Sequence, residues 1–447
     1  MKISRRNVLK IGAMGAAGAT LGMAGGGHGM AMATQESGAA KAPPQTTLQP
    51  CEEKLPPPFA SLKPLGKRAQ PVGDDEFWGR IVLAQRLMSD AKPQYAALYV
   101  TPGTSLYYFT GIRWWPSERL LALLIPRVGD PTIICPAFEE GRLREQLRWP
   151  IPVRVWEEDA SPYAIAGQWL EDRRSRTGRV GVEETTRFAF LDGVRRTTRT
   201  IEYICGDPIT VGCRSQKTSH ELDLMKLSCE ATCNVYRAVF ASLHPGITDR
   251  QVSELLSRGF QQMELSGDVL VLFGKYAAQP HGTKQPQILR EGDLVLIDGG
   301  TTVEGYQSDI TRCTVLGTPP DKLKRAFDLV RKAQDAALIT LATEGTTCGA
   351  VDDAARAVIT AGGYGPGYKY FTHRVGHGIG LDGHEQPYLV HGNKVALQPG
   401  MTFSNEPGIY VPGDFGLRLE DDMVVSETGG ADLLTPGFSP SLEKPLA

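Results

Sequence analysis

Nowhere in these 447 residues do about twenty apolar residues run together, so no helical membrane span is written into the chain. A surplus of charge is missing too. Lys+Arg (48) and Asp+Glu (50) nearly cancel to a formal net charge of -2, which removes the usual electrostatic case for a nucleic-acid or anionic-membrane partner. No G-x-S-x-G nucleophile elbow occurs, which argues against a serine hydrolase. The eight cysteines complete no zinc site. Cys229 and Cys233 stand four apart on an expected helix without a second pair, and helix packing accounts for them. Disulfide pairing stays open. Histidine is scarce, eight in all, yet three fall within residues 373–388, HRVGHGIGLDGHEQPY, among four glycines.

A chain of this length exceeds what one core usually organises, which predicts two folded domains with appendages. Residues 1–33 read as a removable export signal. Arg5-Arg6 precedes a weakly hydrophobic run from Val8 to Met23, and Ala31-Met32-Ala33 supplies an A-x-A site. SRRNVLK resembles a twin-arginine signal, which implies export of an already folded protein to the periplasm or another extracytoplasmic compartment. Residues 34–73, rich in Pro, Gln, Lys and Thr with Pro56-Pro57-Pro58, read as a linker.

Residues 74–212 alternate short apolar runs with amphipathic segments, which predicts an α/β domain. Residues 96–100, 120–125 and 131–135 read as strands, and residues 139–147 and 161–173 as helices. No cluster of His, Cys or carboxylates lies here at ligand spacing, so this domain is expected to shape, cover or dimerise rather than catalyse. Residues 213–447 carry an internal duplication. Each half opens with two amphipathic helices split by a short capped turn, PGIT in the first and EGTT in the second. Gly246 lies six residues before Val252, and Gly345 six before Val351. Pro280-His281-Gly282 answers Gly376-His377-Gly378, and Gly292 precedes Asp298 by the same six residues that separate Gly400 from Glu406. Asp309 and Glu420 follow as a second acid on the next strand of each half.

If the halves pack about a pseudo-twofold axis, Asp298, Asp309, Glu406 and Glu420 converge at the seam. Four buried carboxylates cannot all ionise without compensating charge. Two divalent cations supply that charge, His377 adds a nitrogen ligand, and a bridging hydroxide completes their shells. Taken singly, each piece has a duller explanation. Asp298-Gly299-Gly300 is a common turn signal. Glu406-Pro407 is able to end a strand, Asp309 to sit solvated, and His377 to be a bonded core histidine. Recurrence at equal offset in both halves favours the metal reading. Gly378, Gly380 and Gly383 also spell G-x-G-x-x-G, but Pro387 blocks the helix that a dinucleotide site requires.

DGGTTVEGYQSDITR, HRVGHGIGLDGHEQPY, SNEPGIYVPG and FGLRLEDD resemble the motifs of the pita-bread metallopeptidases, the superfamily of aminopeptidase P, prolidase and methionine aminopeptidase. The likeness covers roughly residues 215–436; residues 74–210 resemble the creatinase/prolidase N-terminal domain in pattern more than in motif. SDITR and EPGIY beside an N-terminal domain of this size are closer to the proline-specific branch. The resemblance implies an α/β N-terminal domain joined to a duplicated α+β pita-bread domain. It also implies Asp298, Asp309, His377, Glu406 and Glu420 as metal ligands, His281 and His384 at the scissile bond, and His373 and Arg418 in the substrate pocket. The implied reaction is hydrolysis of Xaa-Pro bonds by a metal-bridging hydroxide, with Glu406 moving the proton and His384 and His281 steadying the oxyanion. Hard oxygen donors with one imidazole suit manganese, and also cobalt, zinc or iron. A homodimer and a peptide substrate with proline in second position complete the expectation, with dipeptides and longer peptides equally open. Gly282 stands where a tyrosine is common, and Cys313 where a threonine is. A creatinase-like amidine hydrolase and a non-catalytic binding protein share the fold, but both would tolerate loss of the acids, and all the acids are present. Asp382 and Glu385 receive no role from the sequence.

Overall fold

The apolar runs of the first domain form a six-stranded sheet in the order β4-β3-β2-β1-β5-β6. Its strands are β1 (Ala97–Val100), β2 (Ala122–Pro126), β3 (Thr132–Pro136), β4 (Val153–Trp156), β5 (Arg179–Val182) and β6 (Glu202–Cys205). Strands β1, β2 and β3 are buried throughout because helices cover both faces, so their sequences run apolar instead of alternating. The helices are α1 (Asp74–Asp90), α2 (Thr104–Thr110), α3 (Glu140–Arg144), α4 (Pro162–Asp172), α5 (Phe188–Thr197) and α6 (Asp207–Arg214). The helix expected over 139–147 shortens to α3, in which only Leu143 is buried. This computed structural model describes residues 54–173, 178–198, 200–427 and 430–446. The expected signal, residues 1–33, lies outside the described residues, as does the first part of the expected linker.

The rest of that linker is a correction. Residues 54–73 pack against the fold, with Phe59, Leu62 and Val72 buried in the main core. Gln262 Nε2 donates to the carbonyls of Phe59 (2.9 Å) and Leu62 (3.2 Å), and Arg68 pairs with Glu230 at 2.6 Å. Proline richness made the segment look extended, but apolar side chains between the prolines carry enough surface to dock it.

The second domain realises the duplication. Helices α7 (Ser219–Phe240) and α8 (Asp249–Gln262) precede β7 (Gly267–Phe273), β8 (Leu294–Val303), β9 (Tyr306–Gln307) and β10 (Ile310–Val315). Helices α9 (Asp321–Leu341) and α10 (Cys348–Ile359) precede β11 (Gly376–Gly378), β12 (Glu385–Leu389), β13 (Thr402–Asn405), β14 (Gly408–Val411), β15 (Phe415–Arg418), β16 (Asp421–Val425) and β17 (Ala431–Leu433). One sheet runs β10-β8-β7 with β9 beside β8; the other runs β12-β11-β13-β16-β17, and β14 and β15 form a separate hairpin. The halves match in backbone detail. Gly292 and Gly400 take φ of +84° and +82°, and single β-bridges join Thr248 to Ile288 and Thr347 to Ala396 at the starts of α8 and α10. Thr218 and Glu221 cap α7 reciprocally, the threonine hydroxyl accepting at 3.2 Å and the carboxylate at 2.7 Å. Glu221 also receives Arg80 of α1 (3.0 Å) and the Tyr306 hydroxyl (2.5 Å), which ties the two domains together.

Candidate metal centre

The two sheets meet where the acids were expected. Asp298 lies in mid-β8, directly across the ladder from Thr311 of β10. Asp309 sits between β9 and β10, Glu406 just past β13, and Glu420 between β15 and β16. Junction positions, not strand interiors as expected for Asp309 and Glu420, aim these carboxylates at the seam. His377 is the middle residue of β11 and is 1% exposed. Gly300 and Gly376 make the approach possible. A Cβ on Gly300 would meet the Ser308 carbonyl oxygen at 2.2 Å, and one on Gly376 the Ser404 oxygen at 2.0 Å. Asp298-Gly299-Gly300 is therefore continuous strand, not the turn its composition suggests.

All five expected ligands come together. Asp298, Asp309 and Glu420 offer donor atoms within 4.8 Å of one another, as do His377, Glu406 and Glu420, and as do Asp309, His377 and His384. His377 Nε2 lies 3.4 Å from Glu406 and 3.8 Å from Asp309, while its Nδ1 faces the Gly378 carbonyl at 3.1 Å. That second contact fixes the ring with Nε2 toward the acids. Burial lowers His377 to about 3, with the neighbouring His384 adding to the effect, so the imidazole is neutral and able to ligate.

The acids carry the strain of their proximity. Burial, then repulsion by Asp298, Asp422 and Glu406, pushes Asp309 well above the carboxylate range. Burial, then Asp309, Glu406 and Asp298, does the same to Glu420. Burial raises Glu406 to about 8, Arg418 pulling against it and Asp298 adding to it. Asp298 alone is held low, because Arg418 and the Thr311 hydroxyl outweigh its desolvation. One guanidinium cannot balance four acids at this spacing, and a hard, oxygen-rich donor set with one neutral imidazole fits divalent cations.

The other expected residues take distinct places. His384 is exposed and stacks on His377, with ring centroids 3.6 Å apart. His281 is exposed in the turn after β7, near enough for its charge to act on both His373 and His384. His373 is engaged at both nitrogens, by the Arg374 carbonyl and the Tyr410 hydroxyl, each at 2.8 Å. Arg418 is 4% exposed and bonds Asp298, Thr311 Oγ1 (2.9 Å) and the Tyr410 hydroxyl (2.8 Å). Arg418 therefore braces Asp298, and both side chains hold the Tyr410 hydroxyl.

Sequence reasoning missed several supports. The Thr311 hydroxyl lies 2.5 Å from an Asp298 oxygen and 2.6 Å from a Glu420 oxygen, its single proton placed between acids from the two halves. Its place two residues after Asp309 was a parity signal for the same face. Arg312, fully buried, donates to the Glu420 carbonyl at 2.7 Å and pairs with Asp421 at 2.6 Å. Asp422 accepts from the Asp309 backbone at 3.0 Å and from the Cys229 thiol at 3.3 Å. Asp382 and Glu385 gain a role: they receive Arg214 of α6, and Glu385 also receives buried Lys217, which anchors the His384 loop to the domain junction.

Comparison with known proteins agrees with this geometry. Residues 223–427 match Metallopeptidase family M24, residues 80–216 the Creatinase/Prolidase N-terminal domain, and residues 2–22 the twin-arginine translocation pathway signal sequence, which points to export. The chain is similar to the Xaa-Pro dipeptidase of Lactobacillus delbrueckii subsp. lactis, 33% identical over 74% of this chain and 90% of that protein. Among solved structures it is similar to dipeptidase PepE from Mycobacterium ulcerans, with 32% identity, a TM-score of 0.76, and coverage of 82% of this chain and 98% of that one. Recombinant prolidase from Thermococcus sibiricus gives 30% identity and a TM-score of 0.73 over 82% and 98% of the two chains. Among the described residues no helix is long and apolar enough to cross a membrane.

Proposed function

The chain belongs to metallopeptidase family M24, and from that premise we propose that it cleaves the peptide bond before proline in Xaa-Pro dipeptides, using two divalent cations. The observation that carries this reading is the meeting of Asp298, Asp309, His377, Glu406 and Glu420 in overlapping groups within 4.8 Å. The names of the relatives, Xaa-Pro dipeptidase and prolidase, support the substrate. Asp298, Asp309 and Glu420 would hold one side of the pair, and His377, Glu406 and Glu420 the other. When bound, such cations would supply Lewis acidity toward the scissile carbonyl and make an attacking water more acidic, so that it reacts near neutral pH.

The chain's own groups do the rest. Glu406, held with its oxygens facing His377 and His373, takes a proton at Oε2 and returns it to the leaving proline nitrogen. His384, exposed above His377, donates to the carbonyl oxygen as negative charge develops there, with His281 assisting from the facing turn. His373 and Arg418 hold Tyr410, Asp298 and Thr311 in place. Manganese is the proposed metal, with cobalt, zinc or iron able to substitute. We place the mature enzyme, as a homodimer, in the periplasm or another extracytoplasmic compartment, loaded with metal before export.

The test is turnover of Leu-Pro against Leu-Pro-Pro by stripped protein resupplied with Mn, Co or Zn, alongside metal analysis. About two ions per chain and release of leucine and proline from Leu-Pro are expected. Fewer than about one tightly held ion, or no cleavage of either peptide, defeats the proposal.

A further inference from the structure

Helix α9 repeats apolar residues at helical spacing, and Phe327, Val330, Ala333 and Ala337 are all buried in one core cluster. One polar residue interrupts that stripe. Gln334 is 1% exposed and stands one turn after Val330 on the same face. Its Nε2 donates to the Asn405 carbonyl at 3.1 Å and to Asp421 Oδ2 at 2.8 Å, while Asn405 Nδ2 returns a bond to the Gln334 backbone carbonyl at 2.9 Å. Oε1 of Gln334 and Oδ1 of Asn405 meet no donor among the described residues. A methionine of similar shape would bury there without an unmet acceptor, so it is the amide's donors that the position uses.

The groups they reach form the back of the metal centre. Asn405 and Asp421 face each other directly across the β13–β16 ladder. Their chain neighbours Glu406 and Glu420 emerge where that ladder ends. Successive residues of a strand point to opposite sides, so with Asn405 and Asp421 turned to α9 the two glutamates are turned to the seam. Asp421 also pairs with Arg312 at 2.6 Å, and Arg312 in turn donates to the Glu420 carbonyl at 2.7 Å. The Asn405 carbonyl belongs to the peptide unit whose N–H, that of Glu406, donates to the Val375 carbonyl at 2.8 Å. One side-chain amide thus grips the backbone of Glu406 and, through Asp421 and Arg312, that of Glu420. These two acids and His377 make up one of the groups whose donor atoms lie within 4.8 Å.

From these contacts we propose that Gln334 is a positioning residue: seated behind the sheet, it fixes the separation of Glu406 and Glu420 and so sets how tightly a cation among His377, Glu406 and Glu420 is held. The inference rests on the two-cation reading. The other group, Asp298, Asp309 and Glu420, shares only one member of this pair, and Arg418 and Thr311 brace its Asp298 separately. Loss of the amide should therefore fall unequally on the two ions.

The experiment titrates stripped wild type, Gln334→Met and Val330→Ala with Mn, reading stepwise affinity by chelator competition, pairing of the ions by electron paramagnetic resonance, and the urea midpoint. Wild type should take up two ions and show the spectrum of a coupled Mn pair. Gln334→Met should lose about tenfold to a hundredfold in affinity for one ion while the other changes little. At two equivalents of Mn, the six-line spectrum of isolated ions should replace that of the pair. Val330→Ala removes packing from the same helix face and spares the amide, so its midpoint should fall with both ions held as in wild type. Gln334→Asn, its amide one carbon short of both acceptors, is the second variant and should move binding in the same direction as Gln334→Met. Unchanged affinities in a folded Gln334 variant overturn the inference. So does equal weakening of both ions, or a Val330→Ala that weakens one as much, since either marks general loosening of the core. Failure of both Gln334 variants to fold overturns it as well, because the residue would then serve the fold. If wild type itself takes up fewer than two ions, the two-cation reading falls, and the inference falls with it.

Discussion

Stripping the metals should make the protein lose stability as pH rises, the reverse of ordinary acid denaturation. In the stripped fold Glu406 is raised from its ordinary 4.5 to about 8. Between those values the folded chain keeps a proton that the unfolded chain has released. For a carboxyl raised on folding, that contribution is full below about pH 4.5 and is lost as pH climbs through about 8. The slope is about 1.4 kcal/mol per pH unit, or roughly 5 kcal/mol across the window for this one group. Asp309 and Glu420 are raised as well and steepen the loss. With divalent cations in place of the protons, the acids ionise and the slope vanishes. Urea unfolding of stripped and loaded protein at pH 5, 6, 7 and 8 measures this directly, and the difference between the two forms cancels every group remote from the seam. Glu406→Gln should remove about 1.4 kcal/mol per pH unit from the stripped slope. Parallel stripped and loaded profiles would refute the idea that these acids repel one another when unmetallated.

Thr311→Val deletes the hydroxyl shared by Asp298 and Glu420, and metal affinity should drop about 10- to 100-fold in a chelator competition; unchanged affinity would mean the bridge is idle. His384→Ala should lower kcat on Leu-Pro by about 10²- to 10³-fold with two ions still bound, and a loss of metal instead would make His384 a ligand. Lys217→Met leaves buried Glu385 with Arg214 as its remaining cation. Since breaking a buried pair costs roughly 3–5 kcal/mol when no partner remains, a smaller but clear fall in the urea midpoint is expected, and an unmoved midpoint would show that Arg214 alone suffices.

The acids that meet at the seam were legible in the sequence because duplication prints the same chemistry twice at the same offset. Gly292 to Asp298 and Gly400 to Glu406 repeat at six residues, and both glycines adopt the same left-handed turn. Periodicity likewise foretold the four helices of the second domain and the buried strands of the first, since a helix stripe and a fully apolar strand are local properties. Composition misled where docking decides. Residues 54–73 look like a spacer, yet Phe59 and Leu62 find a surface that only α7 and α8 together create.

Pair partners far apart in the chain were beyond sequence reading. Arg418 and His373, read from the resemblance as substrate-pocket residues, make contacts that the sequence did not show: Arg418 bonds Asp298 and Thr311 across the seam, and both side chains meet the Tyr410 hydroxyl. Glu385 and Asp382 had no role until α6 placed Arg214 beside them. The sequence determined which groups could bind metal, since that depends on residue type and local spacing. The tertiary structure decided which charges are spent inside the protein and which remain for a ligand, since that depends on distances across the seam.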